Sequence, residues 1–180
     1  MSLENFAYTV FTSVMVFIIG QLIKQEMDNR NNSSRKRKSI ISSLIAETEC
    51  LLQLIQNRLD SAKDIAPDSK AFITLPINGD YFRVFDSVAA DLSALNSNIL
   101  AAQTIQTYME VKGLFDDVKW FTVNAFELKK DLLLINKETS PQLNKYIQNQ
   151  IIYFDEIVKE RAPKACRSLE ELIQNLKNAK

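Results

Sequence analysis

Hydrophobic and polar residues alternate along this chain with a helical period, and the first segment breaks that pattern by being apolar throughout. From Phe6 to Ile23 the sequence reads FAYTVFTSVMVFIIGQLI, eighteen residues without a charge. As a helix this run would extend about 27 Å, enough for a bilayer core. It predicts a transmembrane helix. Beyond it, Asn29-Arg30-Asn31-Asn32-Ser33-Ser34 reads as a break with a helix N-cap at Ser33 or Ser34. Ile41, Leu44, Ile45, Leu51, Leu52, Ile55, Leu59 and Ala62 then keep a 3.6-residue period, which predicts an amphipathic helix ending near Asp64. Pro67, Pro76 and Gly79 mark residues 65–80 as a loop whose Phe72-Ile73-Thr74-Leu75 stretch tucks against the core.

Asp80 is placed to cap a shorter helix carrying Phe82, Phe85, Val88, Ala89 and Leu92, broken at Asn96-Ser97-Asn98. The next helix is expected from Ile99 to about Asn136. Its stripe contains Ile105, Tyr108, Phe115, Val118, Thr122, Ala125, Leu128, Leu132 and Ile135, and Gly113 weakens it without ending it. Ser140-Pro141 is a cap followed by proline at the first helical position. The last helix should kink or restart at Pro163 and continue through Cys166, Leu169, Leu172, Ile173 and Leu176. No stretch alternates as a strand does. The expected fold is all-α: a transmembrane anchor over residues 1–28, a hinge over 29–34, and a cytosolic antiparallel bundle of four main helices over 35–180.

Charge sharpens this reading. Lysine plus arginine and aspartate plus glutamate each total 22, but Lys24–Lys38 holds six cations against Glu26 and Asp28. The opening MSLEN has no cation and one acid, and no small-residue cleavage site follows the apolar run. A retained anchor is therefore expected rather than a signal peptide. The positive-inside rule puts the N-terminus outside and the rest of the chain in the cytoplasm, the anchor sitting in the inner membrane of a bacterium. Within the anchor, Asn5, Thr9, Thr12, Ser13 and Gly20 share an arc of about 100°. Such a polar arc is either a helix-packing seam or a pore-lining face, and both require further copies or a partner.

Composition narrows the chemistry. Without histidine there is no imidazole catalysis or His-ligated metal, and three scattered glycines build no phosphate-cradling loop. Cys50 and Cys166 form neither a disulfide framework nor a zinc site, and both are expected to be reduced and buried. The acidic pairs Asp116-Asp117, Glu47/Glu49 and Glu170-Glu171 read as solvated. No enzyme activity, cofactor or metal is expected. The run Arg35-Lys36-Arg37-Lys38 is either a stop-transfer element gripping anionic lipid or a polyanion site. Lys159, Arg161, Lys164 and Arg167 form a second basic group, from which Lys164 and Arg167 could join the first on a polyanion such as single-stranded nucleic acid.

Two stretches, Tyr81-Phe82-Arg83-Val84-Phe85-Asp86-Ser87 and Tyr108-Met109-Glu110-Val111-Lys112-Gly113-Leu114-Phe115-Asp116-Asp117, resemble a recurring pattern in small bacterial single-pass membrane proteins with a helical cytosolic domain. There an Asn often follows the Phe-Asp-Ser triplet and a Gly-Leu-Leu turn comes shortly after; here Val88 and Ser93-Ala94-Leu95 stand in those places. In architecture, though in no specific motif, the chain is similar to membrane channel effectors of anti-phage defence such as that of the Hailong system. The resemblance implies a homo-oligomeric channel, such as a tetramer, gated by a nucleic-acid oligomer. The alternative is a membrane-tethered scaffold or adaptor that binds a partner protein through its bundle.

Overall fold

A computed structural model describes residues 3–74, 80–95, 97–134 and 141–180, with the side chains of 3–20, 68, 133 and 134 left outside the description. Two compact units result, Met1–Ile40 and Ile41–Lys180. The elements are α1 (Leu3–Lys63), a 3-10 turn (Pro67–Phe72), α2 (Arg83–Val88), a second 3-10 turn (Ala89–Leu95), α3 (Asn98–Leu134), α4 (Pro141–Glu156), a π turn (Ile157–Arg161) and α5 (Ala162–Ala179). Every regular element among the described residues is helical, as the periodicity predicts. Among those same residues no helix is long and apolar enough to cross a membrane. The polar arc of Asn5, Thr9, Thr12, Ser13 and Gly20 lies among the side chains outside the description.

The expected break at 29–34 is absent, and neither Ser33 nor Ser34 caps a helix: α1 runs through both. Local side-chain bonding supports the continuation. Arg30 Nε donates to Glu26 Oε1 at 2.9 Å one turn back, and the Ser33 hydroxyl turns back to the carbonyl of Arg30 at 2.9 Å. Serine that back-bonds in this way fills its hydrogen-bonding capacity without leaving the helix.

In the larger unit, Ile41, Leu44, Leu51, Ile55 and Ala62 of α1 are buried on the expected stripe. Thr48, fully buried, satisfies its hydroxyl on the Leu44 carbonyl at 2.7 Å. The stripe packs beside α3 in the same direction: Glu47 meets Tyr108, while Leu54 to Ala62 flank a cleft with Leu114, Phe115 and Val118. Against α3 the α4–α5 rod runs the other way, since Gln103 meets Asn175, Asp117 meets Arg161 and Asn124 meets Tyr146. The bundle is thus not antiparallel throughout. The shorter helix expected after Asp80 divides into the six-residue α2 and a 3-10 turn, a crossover that lets α1 and α3 point alike.

Two helix junctions follow simple rules. Ser97 caps α3, its hydroxyl accepting the Leu100 N–H at 3.2 Å. As expected, the regular helix is interrupted before Pro163: α4 ends at Glu156 and α5 restarts at Ala162, with the proline in its first turn. The π turn before it widens the coil, with the Ala162 N–H reaching the Ile157 carbonyl five residues back. That room accommodates a proline ring that would clash in a regular interior turn.

The core centres on Tyr108, Phe121, Phe154, Leu128, Leu169 and Leu172. Cys166 is buried, whereas Cys50 is exposed, against expectation, because its position on α1 falls off the buried stripe. Gln150 is 2% exposed, and its Oε1 accepts no hydrogen bond. Two opposite outcomes are expected in urea unfolding of the full chain in mild detergent. Leu169→Ala should lower stability by about 2–5 kcal/mol through the cavity it leaves. Gln150→Leu should raise it by about 1–3 kcal/mol by removing an unpaired buried acceptor.

Candidate functional site

One of the most highly bonded side chains described is one that the sequence assigned to solvent. Glu47, half-buried on α1, accepts the Val84 N–H on Oε1 at 2.7 Å and the Phe85 N–H on Oε2 at 3.0 Å. These are first-turn amides of α2, so a carboxylate from another helix does the capping expected of Asp80. The Tyr108 hydroxyl donates to the same Oε2 at 2.7 Å. Burial, followed by this bond to a carboxylate, pushes the Tyr108 phenol far above its usual range.

Aromatic rings close over that junction. Phe85 stacks on Tyr108 with centroids 4.1 Å apart, Phe82 leans on both Tyr108 and Phe115, and Tyr81 meets Phe115 edge-on at 5.4 Å. Lys112 lies 5.1 Å over the Phe82 ring and pairs with Asp86 at 2.7 Å. The two stretches that carry the resemblance, 81–87 and 108–117, are therefore the two sides of one aromatic junction. Its polar groups are engaged with one another, and Tyr81 and Phe115 at its edge line the apolar cleft that Leu54, Ile55 and Ala62 share with Leu114 and Val118.

A second row runs along α3 at seven-residue intervals. Gln103 accepts from Asn175 at 2.8 Å; Glu110 takes Ser168 at 2.7 Å and Lys164 at 3.3 Å; Asp117 takes Tyr153 at 3.0 Å and Arg161; Asn124 accepts from Tyr146 at 3.1 Å. Burial raises the Glu110 carboxyl, but the bonds from Ser168, Lys164 and Gln106 outweigh it and hold it below its ordinary value of 4.5. Asp155, gripped by Lys159 and Lys70, is likewise held below 3.8. Tyr153 is pushed up to about 12 by burial and by its bond to Asp117.

This row decides where the expected basic residues go. Lys164 is paired with Glu110 in a cleft between α3 and α5 that also holds Asp117 and Arg161. Arg167 lines a different cleft, facing Asp60, Lys63 and Glu170. Lys159 and Arg161 are paired with Asp155 and with Asp117 and Glu156. The second basic group is thus interleaved with carboxylates, and Lys164 and Arg167 do not share a cleft. Arg35, Lys36 and Lys38 are exposed on α1 and Arg37 is half-buried. Among the described residues, no cluster of three or more Cys, Asp or Glu side chains could hold a metal ion.

What stands out instead is apolar. Ile99, Ile105, Met109, Trp120, Val123 and Phe126 of α3 are between 44% and 83% exposed, although Trp120 still meets Tyr153 of α4 edge-on and Met109 lines the edge of the cleft with α5. The expected stripe on this helix is largely its buried face, with Tyr108, Phe115, Ala125 and Leu128 inside, but Ile105 at its edge is exposed. Monomeric proteins seldom leave so long an apolar strip to water. No family model, curated protein or solved structure matches the chain.

Removing the Glu47 carboxylate should strand one buried hydroxyl and two amides. Glu47→Ala is expected to cost about 3 kcal/mol or more, and Tyr108→Phe about 1 kcal/mol, in urea titrations read by circular dichroism. The pH dependence follows from the lowered carboxyls. Stability contributed by Glu110 and Asp155 is complete above their ordinary values of 4.5 and 3.8 and is lost as pH falls through their lower folded values. Glu110→Gln should therefore make acid unfolding shallower below pH 4.5.

Proposed function

We propose that this chain is a membrane-tethered, non-enzymatic scaffold or adaptor. The uncharged Phe6–Ile23 segment is its single anchor, and its helical domain meets a protein partner in the cytoplasm. The observation that carries this reading is the exposed apolar face of α3, from Ile99 to Phe126. An apolar helix face of that length suits helix-on-helix recognition, in which residues three and four apart act as anchors. The anchor reading rests on the sequence, on the uncharged run and the cationic flank after it.

A second reading is favoured by one observation, the exposure of Arg35, Lys36 and Lys38 side by side on α1. Here the chain is an oligomeric channel or pore effector gated by a polyanion such as a DNA oligomer, in the manner of anti-phage effectors. Lys164 and Arg167 contribute less to it than expected, since carboxylates line both their clefts.

Two measurements separate the readings. A reporter fused after Lys180 should be active only as a cytosolic fusion; periplasmic activity would overturn the anchor's orientation. Binding of single-stranded DNA by the detergent-purified chain should be weak and unsaturable near physiological salt, and unchanged when Arg35, Lys36, Arg37 and Lys38 are all glutamine. Saturable binding that those four substitutions abolish would put the pore reading first.

A further inference from the structure

The exposed face of α3 has a register, and the register identifies what covers it. Its outermost residues recur at alternating intervals of three and four, through Ile99, Ala102, Gln106, Met109, Gly113, Asp116, Trp120 and Val123, all exposed. That is the spacing two paired helices use along their seam, here with Gln106, Gly113 and Asp116 as its non-apolar positions. Read against a second copy running the opposite way, with the two-fold axis beside residue 111, the seam matches itself. Ile99 faces Val123 of the other copy, Ala102 faces Trp120, Gln106 faces Asp116, and Met109 faces Gly113. Large apolar residues meet small ones, and the one charged residue meets an amide able to donate to it.

Gly113 is central to this match. A Cβ built there would meet nothing within 4 Å, so the glycine leaves open space on the seam for the opposing Met109. A parallel pairing has none of this complementarity. It would set Asp116 on Asp116, Trp120 on Trp120 and a void at Gly113. The edge of the seam is closed as well, because Gln103, Glu110, Asp117 and Asn124 are engaged with α4 and α5 in their own protomer.

We infer that the partner of α3 is a second copy of this chain, held in an antiparallel helix pair centred near residue 111. The inference rests on the reading of α3 as an interaction face and names its occupant. Such a pair is isologous, so it closes at two copies along this seam.

The test uses the full chain in native membranes and in mild detergent, carrying Cys50→Ser to remove the exposed thiol. One tagged copy carries Gln106→Cys and a differently tagged copy carries Asp116→Cys, both at exposed polar positions. Mild oxidation should join the two tags, while copies that all carry Gln106→Cys should not crosslink, their thiols lying about ten residues apart along the pair. Adding Met109→Lys should cut the mixed crosslink at least tenfold with the circular dichroism spectrum unchanged. A crosslink between two Gln106→Cys copies would show a parallel pair and overturn the proposal. Maleimide labelling of Asp116→Cys in membranes separates the remaining outcomes. A shielded thiol without the mixed crosslink means another protein covers α3, so self-pairing falls and the scaffold reading stands. A freely labelled thiol without the crosslink overturns both.

Discussion

One carboxylate holds the larger unit's connections together. Glu47 reaches from α1 to the first amides of α2 and to the phenol of α3, so three elements distant in sequence share a single acceptor group. An acid half removed from water requires such donors, since burial without them would cost several kcal/mol. Once Glu47 is placed, Phe85 lies flat on Tyr108, Phe82 and Tyr81 follow onto Phe115, and Lys112 sits over the rings with Asp86 beside it. The short crossover that allows α1 and α3 to run in the same direction is pinned by that acid.

On the opposite side of α3 a different device fixes the partner helix. Four polar residues at heptad intervals each find a match on the α4–α5 rod. Apolar packing alone would tolerate a slip along the helix axis; a row of specific bonds does not. Polar pairs of this kind contribute register more than net stability. They also determine which face of α3 is left to water, and so the apolar strip outside and the bond row inside are one arrangement seen from two sides.

The helical nature of the chain and the buried face of α1 were legible because period and composition agree there. Ile41, Leu44 and Ile55 point inward as spacing requires. The orientation of α3 was harder to read. That helix carries apolar residues nearly all round, so the period puts Tyr108, Phe115, Ala125 and Leu128 inside correctly but also takes in Ile105, which is exposed. What resolves it is tertiary: Glu110 and Asp117 need the cations of α5 and the π turn. Glu47 was unreadable for the same reason. Its partners are backbone amides and a phenol dozens of residues away, and nothing local marks it as different from exposed Glu49, which pairs with Lys177. The three-and-four spacing from Ile99 to Val123, by contrast, was present in the sequence all along. It was masked by a second apolar pattern on the same helix.

The π turn at Ile157–Arg161 has a consequence for how this sequence can change. Before it, Gln150, Phe154 and Ile157 face inward. An ordinary helix would continue that face through 161, 164 and 168. The residues that are buried are instead Ala162, Ala165 and Leu169, each one place later. The turn therefore acts as a phase shifter, absorbing one extra residue and rotating everything after it by about 100° relative to an unbroken coil. A codon lost from this segment would straighten the helix, and Leu169, Leu172 and Leu176 would swing together out of the core. Insertion and deletion are thus unequal here: the π turn already holds the extra residue on which the inward face of α5 depends.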